Sequence, residues 1–149
     1  MVRLRAVEPD DLPVFYEHQL DEEAAAMAAF VPRDRDAFTA HWQRILRDER
    51  CAARTILADD EAVGNVVAWW TDDGDRLVGY WIGKPFWGRG IATEALAAFL
   101  AEEPTRPLQA RVSDRNRGSI RVLEKCGFRP VAREDGGDGV VDLVYELKA

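Results

Sequence analysis

Apolar and polar positions alternate along Val2-Arg3-Leu4-Arg5-Ala6-Val7, the period of a strand with one buried face. Glu8-Pro9-Asp10-Asp11-Leu12 then predicts a helix start, with acids in the first turn beside the positive end of the dipole. Leu12, Phe15, Tyr16 and Gln19 carry that helix on, and residues 22–30 predict a second, alanine-rich one, broken by Val31-Pro32-Arg33-Asp34. Phe38, Trp42, Ile45 and Leu46, three and four residues apart, mark the buried face of another helix. The pattern then changes period. Thr55-Ile56-Leu57-Ala58 and Gly64-Asn65-Val66-Val67-Ala68-Trp69-Trp70 predict two strands across the acidic turn Asp59-Asp60-Glu61. Thr71-Asp72-Asp73-Gly74-Asp75 turns the chain into a third strand, where Leu77, Val78, Tyr80, Trp81 and Ile82 form an apolar run that ends at Gly83 and Pro85.

Beyond that loop, Ile91, Ala95, Leu96 and Phe99 share a helical face, with Ala92, Ala97 and Ala98 as further helix formers, up to Pro104-Thr105-Arg106-Pro107. Residues 108–112 predict a strand, Asn116 opens a short helix that Gly127 terminates, and residues 128–133 and 140–147 pair as a closing hairpin around Gly136-Gly137-Asp138-Gly139. Strands and helices mixed in this order predict a three-layer α/β (α+β) domain with a mixed sheet, formed by residues 1–149 as a single unit.

With 149 residues, 47% hydrophobic and 32% charged, the composition is that of an ordinary globular chain with one core. No apolar run approaches the ~20 residues of a membrane helix, and no basic-then-apolar leader opens the chain, so a cytoplasmic location and no membrane partner are expected. A net charge of −7 disfavours a nucleic-acid surface; it suits a cationic acceptor, but solubility explains it equally. Cys51 and Cys126 read as free thiols, and His18 and His41 are too few and too isolated for a metal site, so none is expected.

The stretch with the most chemistry joins the third strand to its helix. Gly88 and Gly90 stand just ahead of that helix, where missing side chains and outward N–H groups suit an anion, a phosphate above all. A P-loop requires Gly-Lys-Ser/Thr, and Gly90-Ile91-Ala92-Thr93 has no lysine. A dinucleotide fingerprint requires a third small residue and an acid about 20 residues on. The glycines here fill part of that pattern, and no acid occupies the region of residues 108–112.

Trp87-Gly88-Arg89-Gly90-Ile91-Ala92 resembles the acetyl-CoA pyrophosphate loop of the GNAT superfamily of N-acetyltransferases, whose pattern is Gln/Arg-x-x-Gly-x-Gly/Ala. Trp87 stands where the polar residue is usual. The longer run Phe-Trp-Gly-Arg-Gly-Ile-Ala-Thr-Glu-Ala is similar to the branch that includes the ribosomal-protein alanine acetyltransferases. Asn116-Arg117-Gly118-Ser119, followed by Leu123-Glu124-Lys125-Cys126-Gly127-Phe128, is similar to a second block of that branch. The order of elements also matches, so the resemblance covers nearly the whole chain and implies a central mixed, mostly antiparallel sheet flanked by helices.

The resemblance implies transfer of an acetyl group from acetyl-CoA to a primary amine, a protein N-terminus or a small molecule, directly within a ternary complex. It implies that Trp87, Gly88, Arg89, Gly90, Ile91, Ala92 and Thr93 bind pyrophosphate through backbone N–H groups. Tyr80, Trp81, Ile82 and Gly83 would line pantetheine on a splayed strand, with the Ile82 N–H polarising the thioester carbonyl. Asn116 would bond the pantetheine arm or shape its loop. Ser119 would sit near the thioester sulfur as a general acid, because the tyrosine that many members place before the Glu-Lys pair is Leu123 here, although a helix-capping or first-turn serine fits the position equally. Arg89 and Lys125 are further candidates for phosphate contact, each equally consistent with a solvated charge. A C-terminal edge strand would support a homodimer.

Phe15, Gln19, Met27, Phe30 and Trp69 are the candidates for an acceptor pocket, although helical spacing makes core packing the default for Phe15. Glu17, Glu22 and Asp142 are carboxylates on the acceptor side with no feature that singles out a base. Cys126, against Gly127 at a helix end, reads as a structural thiol rather than a nucleophile. Two rival functions remain. One is a non-catalytic acyl-CoA-binding or regulatory module; the other is an interaction domain built on Trp81, Phe86 and Trp87, in which the glycine pair has no purpose.

Overall fold

The computed structural model describes residues 1–27, 33–137 and 139–148. Strand β1 (Val2–Ala6) leads into helices α1 (Asp11–Gln19), α2 (Glu22–Met27) and α3 (Arg35–Arg47). Strands β2 (Ala52–Ala58), β3 (Glu61–Trp70) and β4 (Arg76–Ile82) follow, then α4 (Ile91–Glu102), β5 (Leu108–Ser113), α5 (Arg117–Lys125), β6 (Arg129–Gly137) and β7 (Val140–Leu147). The sheet runs β1-β2-β3-β4-β5-β7-β6, and its neighbours are antiparallel except β4 and β5.

The period-2 pattern of β3 builds two cores at once. Val66 and Ala68 point to the face covered by Ile91, Ala95, Leu96 and Phe99 of α4, while Val67 points to the opposite face and meets Leu12, Phe15, Phe38 and Trp42 of α1 and α3. The Phe15 and Trp42 rings pack tilted at 43°, with centroids 5.0 Å apart. Helices on both faces of one sheet give the three layers that the element order predicts.

Local differences from the sequence pattern have local causes. The acidic turn is only Asp59-Asp60, both with positive φ (51° and 68°), as a two-residue hairpin turn requires, so Glu61 already belongs to β3. Asp11 does more than face a helix dipole. Its buried carboxylate takes both Arg5 guanidinium nitrogens (2.7 and 2.9 Å), the Glu8 N–H (2.8 Å) and the Thr55 hydroxyl (2.7 Å), and so ties β1, α1 and β2 together. Burial and ion pairing also hold the start of β4, where Arg76 donates to Glu103 (2.6 and 3.0 Å) and to the Arg50 carbonyl (2.6 Å).

Gly127 ends α5 in a left-handed conformation (φ 95°), with its N–H on the Glu124 carbonyl and the Phe128 N–H on that of Leu123. That double closure is a Schellman cap, which turns the chain sharply so that Phe128 is fully buried at the start of β6. A short 3₁₀ turn, Lys84–Phe86, separates β4 from the glycine loop.

Candidate active site

β4 and β5 are in register only at Leu77 and Gln109, and beyond that point they part. Parallel neighbours that diverge leave main-chain groups without a strand partner. Along β4, the Gly83 N–H bonds the Val63 carbonyl (2.9 Å) and Gly64 lies opposite Ile82. Antiparallel alternation therefore directs the N–H groups of Tyr80 and Ile82 away from β3, toward the parted side. The Ile82 carbonyl confirms the sense: it accepts from the Trp87 indole (2.9 Å) on that side.

Close approach of β3 sustains this edge. A Cβ on Gly64 would lie 2.1 Å from the Trp81 carbonyl oxygen, so no side chain fits between the strands there.

The glycine loop lies at the end of β4. Gly88 and Gly90 have φ of 79° and 74°, and a Cβ on either would meet nothing within 4 Å. Glycine is thus required by the left-handed backbone rather than by crowding from the fold. Gly90 caps α4 without any side-chain acceptor, which leaves the first-turn N–H groups of Ile91, Ala92 and Thr93 with no intrahelical partner. A cavity of about 580 Å³ opens over this loop and the parted strands. Tyr80, Trp81, Ile82, Trp87, Gly88, Gly90, Ile91, Ala92 and Thr93 line it, with Asn116 and Ser119 opposite. Its far wall is cationic: Arg115, Arg117, Arg121 and Lys125 line it, and no carboxylate among the described residues does. Arg117, Arg121 and Lys125 are four residues apart on α5, so one helical face presents them all. Lys125 alone was a candidate from the sequence; the i, i+4, i+8 spacing was the signal for the other two.

Asn116 caps α5, its side-chain oxygen accepting from the Ser119 N–H (3.1 Å), and this places Ser119 in the first turn. The Ser119 hydroxyl lies 2.6 Å from the Tyr80 hydroxyl. Burial pushes the Tyr80 phenol up to about 12, against the opposing effect of the Ser119 hydrogen bond, so it carries its proton at any physiological pH. Leu123, at the position of the family's usual tyrosine, is buried core.

A second cavity, of about 590 Å³, lies on the α1–α3 side. Phe15, Gln19 and Trp69 line it, as do His41 and Asn65, which the sequence pattern did not single out. Phe15 belongs equally to the core, being buried against Trp42. Tyr80 and Trp81 line both cavities, so the two meet across β4.

Other candidates are placed elsewhere. Phe30 lies outside the described residues, and of Met27 only the backbone is described. Gly83 does not line the β4–β5 cavity; a Cβ there would sit 2.7 Å from the His18 ring. The Arg89 guanidinium lies 5.8 Å from the centre of the Phe86 ring and is also absent from the lining. Among the described residues neither Glu17, Glu22 nor Asp142 lines either cavity. Cys126 approaches the Thr93 carbonyl at 3.8 Å, and burial pushes its thiol up.

A sheet whose single parallel pair parts beside an uncapped helix start is the GNAT fold that the two sequence blocks imply. The chain belongs to the acetyltransferase (GNAT) domain family, whose profile matches residues 2–129. It is 33% identical over 106 residues to the probable N-acetyltransferase YjcK of Bacillus subtilis, a match over 66% of this chain and 59% of that protein. The chain thus spans less than two thirds of that relative's length.

Solved structures share the architecture. The spermidine N-acetyltransferase of Vibrio cholerae, in complex with CoA and spermine, superposes with a TM-score of 0.84 at 15% identity, covering 99% of this chain and 95% of that one. RimL, the ribosomal L7/L12 α-N-protein acetyltransferase in complex with CoA, gives 0.82 at 16% identity, over 99% and 93%. An acetyltransferase from Thermus thermophilus gives 0.77 at 25% identity, over 98% and 97%. Among the described residues no helix is long and apolar enough to cross a membrane.

Proposed function

We propose that this chain transfers an acetyl group from acetyl-CoA to a primary amine by direct attack in a ternary complex. The observation that carries the reading is the junction of the two cavities at Tyr80, with a half-buried, protonated phenol in hydrogen-bond contact with Ser119.

The residues present fit the donor. The uncapped N–H groups after Gly90 and the cationic row on α5 suit its phosphates, and the open N–H edge of β4 suits the amides of pantetheine. Acetyl-CoA supplies an activated thioester. The Ile82 N–H, directed to the parted side, would donate to the thioester oxygen as negative charge builds there. Asn116 holds the start of α5 and thereby Ser119. Ser119 would pass a proton to the departing sulfur and Tyr80 would resupply Ser119, the phenol regaining its proton from the attacking amine by way of solvent in the cavity. The amine nitrogen bonds the carbonyl carbon, the carbon–sulfur bond breaks, the nitrogen loses a proton and the sulfur gains one. Gln19, Phe15 and Trp69 would hold the acceptor.

The thiols support direct transfer. Burial pushes up both Cys51 and Cys126, with Asp48 adding to the effect at Cys51, so neither is a ready thiolate nucleophile.

Calorimetric titration with acetyl-CoA and CoA tests the donor site, with Gly90→Trp and Arg121→Glu as controls; thiol release against an amine panel tests transfer. Micromolar binding, lost in Gly90→Trp and weakened in Arg121→Glu, with turnover of one amine class, is expected. Binding without turnover of any amine would favour the regulatory module. Absence of binding would overturn the donor site.

A further inference from the structure

The acceptor-side cavity has a charge opposite to that of the chain as a whole. The protein carries a net charge of −7, yet the cations lining this cavity are Arg33 and Arg44, and the one carboxylate is Asp48. Asp48 is already engaged: it accepts from the Arg50 N–H (2.9 Å) and lies 3.4 Å from the Arg50 guanidinium. Arg33 and Arg44 make no ion pair among the described residues. Both act on one point, since His41, between them in sequence and lining the same cavity, has its imidazole pushed down first by burial and then by these two guanidinium charges. His41 is therefore neutral near pH 7 and adds no repulsion to a cation or attraction to an anion of its own.

Gln19 fixes one of these cations. It is 3% exposed, and its amide NH₂ donates to the Arg33 carbonyl (2.8 Å), which holds the Arg33 backbone at the cavity wall. Around them the wall is aromatic, with Trp69 substantially exposed to the cavity mouth.

We propose that the acceptor is a small amino acid with an apolar or aromatic side chain and a free carboxylate, its carboxylate held by Arg33 and Arg44 and its side chain against the aromatic wall. This rests on the acetyl-transfer reading for the position of the amine beside Tyr80, but the recognition chemistry is carried by the cavity alone. A polyamine is the wrong charge for it: a polycation gains from rows of unpaired carboxylates, and this lining offers two unpaired cations instead. Two guanidinium groups in an aromatic wall suit one negative group carried on an apolar body. In the transfer itself the amine, as free base, bonds the acetyl carbon, the carbon–sulfur bond breaks, and the products are the N-acetyl amino acid and CoA thiol.

The test pairs phenylalanine with phenylalaninamide, which keeps the amine and ring but lacks the carboxylate, and adds spermidine and a short peptide. Thiol release with acetyl-CoA gives kcat/KM, and quenching of the cavity tryptophans gives binding without turnover. Phenylalanine is expected to exceed its amide by about tenfold or more in kcat/KM, chiefly through KM. Arg44→Ala and Arg33→Ala should erase that preference, lowering kcat/KM for phenylalanine about tenfold more than for the amide; Arg44→Lys should restore part of it. Preference for spermidine or the peptide, or an acid-to-amide ratio indifferent to both arginines, would overturn the proposal and leave acetyl transfer standing. Arginine-dependent binding of phenylalanine without turnover would support the acceptor site and sink the transfer.

Discussion

The hydroxyls of Tyr80 and Ser119 lie 2.6 Å apart, although the residues are 39 positions apart in the chain. One stands on the parted edge of β4, the other in the first turn of α5, and both line the cavity over the glycine loop. Tyr80→Phe keeps the ring and removes the proton. It should lower kcat by about 10²-fold, as should Ser119→Ala, with the KM for acetyl-CoA little changed. The double variant should be no worse than either single one, since both interrupt one proton path. Additive losses would separate the two roles. Because the phenol keeps its proton up to about 12, kcat should not fall between neutral pH and about pH 10 through loss of this acid.

The cationic face of α5 makes a prediction about salt. Arg121→Ala and Lys125→Ala should each weaken acetyl-CoA binding about threefold, and roughly tenfold together, by calorimetry at low ionic strength. The difference should shrink at high salt, where exposed charges are screened. Unchanged affinity would mean that these side chains face solvent and leave the phosphates to the backbone.

Gly64 tests whether strand spacing positions the catalytic edge. A Cβ there would lie 2.1 Å from the Trp81 carbonyl, so Gly64→Ala must push β3 and β4 apart. A loss of roughly 1–3 kcal/mol is expected from denaturant unfolding, together with reduced kcat at saturating acetyl-CoA. Full stability and activity would show that the strands shift without consequence for the Ile82 N–H.

Asp11 sets an acid limit on the fold. Burial alone pushes its carboxyl up, but hydrogen bonds from Arg5, the Glu8 N–H and Thr55 outweigh that and hold it at about 2. The folded value lies below the ordinary carboxylate value of about 4, so the stabilisation is complete above that pH and is lost as pH falls through the folded value. About 2 kcal/mol should disappear between pH 5 and pH 2 by urea unfolding. Asp11→Asn should be less stable at neutral pH and show a shallower slope in that window; an unaltered slope would assign the acid sensitivity to another group.

Much of this molecule is written locally. The order of strands and helices follows from hydrophobic period, the α5 stop from Gly127, and the family from residues 87–92 and 116–128, because these depend on neighbours a few residues apart in sequence. The donor loop was legible for the same reason: left-handed glycines before an uncapped helix are a local arrangement. The cationic face of α5 was also there to be read, at a helical spacing.

Tertiary structure alone decided the rest. It brought the Tyr80 phenol to Ser119, where the sequence showed only Leu123 in place of the family's tyrosine, and it joined two cavities at that point. It made Asp11 a cross-link between β1, α1 and β2, and gathered Gln19, Arg33, His41 and Arg44 into one cavity wall. Side-chain pattern specifies which face of each element is buried. Which polar atoms then meet, and which are left facing a cavity, depends on how those faces pack across the sheet, and no local period encodes that distance.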